Sequence, residues 1–198
     1  ARTVRFLGFL VSALLPAIYI SILSFHQEVL PLTLVNTIYS AREGVPFPIV
    51  IEIILFGLFF EGIKEAVARI PQGLGSSVTI VGALILGDAA ISAGLLGPDS
   101  VIVGSLTGIA MFLLPTIEFS NTTIFIRLLF TLGAAISGFY GLTIIILLLT
   151  SHLVGLRSFG IPYMSPVAPL QLADLKDFFM IVPYLMMGTR PQSLETEN

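Results

Sequence analysis

Between Arg5 and His26 the chain runs for twenty residues, FLGFLVSALLPAIYISILSF, without a charged side chain. Twenty helical residues extend about 30 Å, the thickness of a bilayer's hydrocarbon core. A second uncharged run, Leu128–Ser151, is longer, and Ile70–Gly87 and Ser100–Ile117 add two more. Only 11% of the 198 residues are charged and 56% are hydrophobic, where a soluble domain carries roughly 25% charged residues. Too little polar surface remains to cover such a chain in water. The pattern predicts an all-α, polytopic helical membrane protein with about four to five spanning helices plus re-entrant or interfacial segments.

Five crossings are expected, at 6–25, 49–69, 78–96, 101–115 and 123–150. Pro16 should bend the first, and Arg2 and Arg5 should anchor its start on the cytosolic side. Residues 26–48 hold Pro31, Pro46 and Pro48 and are too interrupted to span. Within them Leu32–Ala41 reads as a short surface-lying or partly inserted helix. In the second crossing Glu61, Lys64, Glu65 and Arg69 share one arc of the helical wheel. That arc is either the solvated end of a membrane helix or the lining of an aqueous vestibule or subunit contact. Glu52 points the other way, amid VIEIILFGLFF, and should face protein, water or the interface, because lipid exposure would be costly.

The third crossing carries small residues at Gly82, Ala83, Gly87, Ala90 and Gly94, which lets another backbone approach. Asp88 lies near its midpoint, and a lone mid-bilayer acid is by default a functional candidate. Its competing reading is a structural Asp at a helix contact beside Ser92. GPDS, 97–100, reads as a turn in which Asp99 or Ser100 caps the next helix. That helix, 101–114, has a further glycine pair, Gly104 and Gly108. PTIEFSNTT, with Glu118 and Asn121, reads as an irregular polar patch. The last crossing begins near Arg127 and carries Ala134, Gly138 and Gly141 at packing intervals. Five crossings set Arg157, Lys176 and Arg190 on the outside, against the basic-residue bias. The expected organisation is a transmembrane domain over 1–170 and a cytosolic or interfacial tail over 171–198, in which Leu172–Val182 forms an amphipathic helix. The non-Met start suggests an upstream soluble domain outside this sequence.

Other classes find little support. The chain has no Cys and two well-separated His residues, so no disulfide framework or metal centre is expected. No phosphate-binding loop, zinc-peptidase motif or dinucleotide fingerprint occurs, and no enzyme activity or cofactor is expected. A net charge of -3 with nine basic residues argues against nucleic-acid binding.

The segments FHQEVLP, AREGVPFP, FFEGIKEAVARIPQGLGSSVTIVGALILGDAAISAGLLGPDSVIV and LRSFGIPYMSPVAPLQLADLKDFF resemble, in order, the A-subunit family of bacterial spore germination receptors. That family includes a related late-sporulation membrane protein. The resemblance implies a multi-pass protein of the spore inner membrane in an endospore-forming bacterium, active in nutrient-triggered germination with release of monovalent cations. It further implies a homo-oligomeric channel subunit, accompanied by a transporter-like B subunit and a lipoprotein C subunit. Rings of acid around a pore would favour cations, and Asp88, Glu52, Glu61, Glu65 and Glu118 are the candidates. A non-conducting scaffold is the alternative. A secondary transporter would call for paired internal repeats, which the sequence does not show.

Overall fold

The small residues of the first helix decide how the others assemble. In the computed structural model, which describes residues 2–68, 87–158 and 160–168, helix α1 runs Arg2–Phe25. It buries Gly8, Ser12, Ala13, Pro16, Ala17 and Ser21 along one face, with Ile20 and Leu23 beyond. Val4, Phe6, Leu7 and Val11 point outward. Burying the small residues and exposing the large apolar ones inverts the soluble pattern and is what lipid-solvated helices do. The narrow face lets α1 pack against α3 (Ile49–Ala68), α4 (Pro98–Met111), α5 (Ile117–Ser137) and α6 (Phe139–Gly155). Ala13, Ala17 and Ile20 meet Ile53, Phe130, Ala134 and Leu142 in the common core.

After α1 a single 3-10 turn, Gln27–Val29, leads to α2, Leu32–Ala41, which buries none of its residues. The short surface-lying or partly inserted helix expected there has the same bounds. Helix α4 starts at Pro98, its fixed φ suiting the first helical turn. Gly97 is the N-cap and makes no side-chain cap, so the capping role expected of Asp99 or Ser100 is not seen. PTIEFSNTT is not irregular: Thr116 caps α5 by accepting from the Phe119 N–H at 3.2 Å, and the helix begins at Ile117. Arg127, expected near a helix start, therefore sits at its midpoint, about 15 Å from either end.

The single crossing expected over 123–150 is two helices. Gly138, with φ +61° and ψ -134°, breaks the chain between α5 and α6. A Cβ on Gly141 would lie 2.0 Å from the Gly133 carbonyl oxygen, so these glycines serve the fold-back of α6 onto α5. A two-residue antiparallel pairing of β1 (Arg157–Ser158) with β2 (Ile161–Pro162) follows.

The described chain is thus predominantly α-helical. Where four to five crossings were expected, two helices among the described residues, Arg2–Phe25 and Glu118–Ser137, are long and apolar enough to cross a membrane. Helix α3 has the length but carries Glu52, Glu61, Lys64 and Glu65, and α4 and α6 are shorter. The tail from 169 onward and most of the third expected crossing lie outside the described residues.

The glycine pair of α4 acts differently from the backbone approach expected of it. A Cβ on Gly104 would lie 2.2 Å from Phe56 Cδ1, and one on Gly108 2.4 Å from Phe60 Cζ. Two aromatic rings of α3 seat in two notches of α4. Gly104→Ala is expected to cost about 1–3 kcal/mol by overpacking, read from the thermal or denaturant midpoint of the purified protein. An unchanged midpoint would refute the notch.

Candidate functional site

Among the described residues, buried or half-buried charged side chains gather in two places, whereas several hydroxyls bond back into their own helices: Ser21 to Ala17 O at 2.8 Å, Thr123 to Phe119 O at 2.7 Å. The first place lies where the starts of α3 and α4 meet α1. Glu52, in the first turn of α3, is 0% exposed. Its Oε2 accepts the Gly97 N–H at 2.8 Å, and its Oε1 accepts Arg42 Nη2. Arg42 Nη1 lies 3.0 Å from Asp99 Oδ2, 3.1 Å from Ser100 Oγ and 3.2 Å from the Tyr19 hydroxyl. The Tyr19 O–H donates to the same Asp99 oxygen. Asp99 Oδ1 is buried without a hydrogen-bond partner.

One guanidinium on the connection after α2 therefore satisfies carboxylates from two other helices. Arg42 and Asp99 side chains are 10% and 14% exposed, so the charges are largely desolvated. Burial pulls the pKa of Arg42 down. The charge of Asp99, its hydrogen bond to the guanidinium and the charge of Glu52 more than offset this and leave it above its ordinary value. With Glu52 and Asp99 ionised, the formal charge of the group is -1.

The second place is a cleft of about 140 Å³ between α1, α3, α4 and α5, walled by Pro16, Ile53, Phe60 and Leu128 and carrying Glu61 and Arg127. Glu61 Oε1 pairs with Lys64, whose Nζ also donates to Ser120 Oγ at 3.1 Å, while Glu61 Oε2 is buried without a partner. Arg127 Nη1 donates to the Met111 thioether at 3.1 Å, a weak acceptor. Two opposite charges thus face one cleft, both incompletely satisfied. Glu61 and Lys64, read from sequence as either a solvated end or a vestibule lining, are half-buried against α5 and its cleft.

The other candidates lie apart. Asp88 is exposed in the helical stretch 87–92, as is Ser92, so no Asp88–Ser92 contact buries it. Glu65 is exposed, and Glu118 is exposed in the first turn of α5, where a carboxylate suits the helix dipole. Gly82 and Ala83 fall outside the described residues. Gly87 is buried at ordinary contact distance from Val101, Ala90 is half-buried, and Gly94 takes φ +66° where the stretch ends. Ala134 is in the core. Tyr19, Arg42, Asp99 and Arg127 were not among the sequence candidates. Among the described residues no group of three or more His, Asp or Glu could hold a metal ion.

Residues 1–193 match the family model described as Bacillus/Clostridium GerA spore germination protein. Spore germination protein KA of Bacillus subtilis is 42% identical over all of this chain, which covers 36% of that protein. Spore germination protein GerLA of Bacillus cereus is 39% identical, with 100% of this chain and 40% of the relative covered. The membrane protein YfkQ of Bacillus subtilis is 37% identical over all of this chain and 38% of its own length. The chain thus spans well under half the length of these relatives. No solved structure matches it.

Proposed function

The chain belongs to the GerA spore germination protein family, and from that premise we propose that it is the membrane part of a spore germination receptor subunit that conducts monovalent cations as a homo-oligomer. The proposed setting is the spore inner membrane, with a transporter-like subunit and a lipoprotein as partners. The observation that carries conduction is the cleft: Glu61 and Arg127 face it from two helices, at mid-depth of an α5 long enough to cross a membrane. Ionisable groups at that depth are costly and face a water-filled path or a partner charge. A pure scaffold, the second reading, does not require charges there. Asp88, exposed on the protomer, is available to a pore lumen, where symmetry would multiply its charge.

The break at Gly138 bears on the crossing count. If α5 and α6 both cross, the total rises from five to six. Arg157 then returns to the side of Arg2 and Arg5, in agreement with the basic-residue bias. Multi-pass topology in this form is part of the proposal.

The test is cation flux through the full-length protein in liposomes, with Asp88→Asn and Glu61→Gln beside the wild type. Conduction is expected, with cation-over-anion selectivity reduced about tenfold in at least one variant, a difference near 1.4 kcal/mol. Flux unaltered by either change would remove both acids from the ion path. Absence of flux from a verified oligomer would favour the scaffold.

A further inference from the structure

The Arg42 site is built as an oxygen cage with a cation in it. Tyr19 OH, Asp99 Oδ2 and Ser100 Oγ surround one guanidinium nitrogen at 3.0–3.2 Å, and Glu52 Oε1 takes the other. These oxygens come from α1, α3 and α4, and the cation alone comes from the connection behind α2. We infer that Arg42 is a tethered plug in a cage that otherwise takes a free monovalent cation, and that displacement of α2 withdraws it.

Three observations support this. The oxygens are held without Arg42, since Glu52 is fixed by the Gly97 N–H and Tyr19 by Asp99. The cage also has spare capacity: Asp99 Oδ1 is buried and accepts nothing, although a buried acceptor without a donor is costly. Helix α2 buries no residue of its own, Leu32 being 80% exposed. Its hold on the bundle includes Arg42 and the Gln27–Tyr39 hydrogen bond. Moving α2 would break little packing, yet it would leave two largely desolvated carboxylates without their shared cation, a state that an oxygen-seeking cation relieves. The consequence for conduction rests on the function proposed above, whereas the cage and plug do not.

The experiment uses the full-length protein with Arg42→Gln and Arg42→Lys. Each is melted in potassium chloride, in sodium chloride and in the same concentration of N-methylglucamine chloride, whose cation is too large for the cage. The expected result is a wild type indifferent to the cation and an Arg42→Gln protein melting about 5 °C higher in the small cations. Equal melting of Arg42→Gln in all three salts overturns the plug. Should that variant fail to fold, Arg42→Lys carries the test, because an ammonium lacks the planar fork that reaches both carboxylates. A smaller rise in the same direction is expected of it, and none at all overturns the inference. Flux from the same preparations separates the two readings. Cation-dependent melting without flux retains the plug and removes the conduit, and flux without cation-dependent melting does the reverse.

Discussion

Arg42→Met is expected to destabilise the protein by about 3–5 kcal/mol, since it leaves two desolvated carboxylates without their shared cation. The Glu52 side chain is fully buried and that of Asp99 is 14% exposed, so water restores little of their lost charge solvation. The informative comparison is the triple variant Arg42→Met, Glu52→Gln, Asp99→Asn. Removing the whole charge set should recover much of the loss, because the large cost lies in breaking the group rather than in lacking it. Unfolding midpoints in a cation too large to enter the site would measure both. If the triple variant loses the sum of its three single losses, the carboxylates are not sharing Arg42 as the geometry indicates.

Gly141→Ala is the second large effect, at about 3 kcal/mol, the upper end of what one overpacked methyl group costs. Its Cβ would fall 2.0 Å from a backbone oxygen, that of Gly133, and 2.7 Å from Ser137 Oγ. A backbone atom cannot rotate aside, so α6 must lift from α5. Gly133→Ala should cost less. Its nearest obstacle is the tip of Ile145 at 2.6 Å, which changes rotamer, although the Gly141 oxygen stands at 3.0 Å. Gly155, with nothing within 4 Å, serves as the neutral control. Equal midpoints for Gly141→Ala and Gly155→Ala would sink the fold-back.

What the sequence made legible followed from local patterns. The apolar runs marked helices, the prolines bounded α2, and the isolation of Glu52 among large apolar residues implied a carboxylate turned away from lipid, toward protein, water or the interface. Its partners were not legible. Arg42 precedes it by ten residues across a proline-rich turn, and Asp99 follows by forty-seven, placed in a stretch that reads locally as a helix cap. Nothing in one-dimensional spacing joins such positions. The break at Gly138 was hidden for another reason. It contains no proline or charge, and its glycines repeat at the interval that marks helix packing, so a fold-back and a packing stripe look alike. The notches of α4 show the same ambiguity: small residues announce a close approach without saying whether a backbone or a ring will fill it. The polar stretch SNTT has the composition of a loop, but Thr116 caps a helix ahead of it, and this puts Arg127 at a helix midpoint.

The polar site also has a chronology. Tyr19, Arg42, Glu52, Asp99 and Ser100 all precede residue 101, and none lies on α5 or α6. During synthesis the group is complete once α4 begins, so its charges can be neutralised before Arg127 emerges. The α5–α6 hairpin, whose mutual contact is separated by a single glycine in the chain, then meets a surface of α1 already set by its tyrosine. Damage to the clamp would accordingly strike early in membrane insertion, whereas damage at Gly141 would strike late.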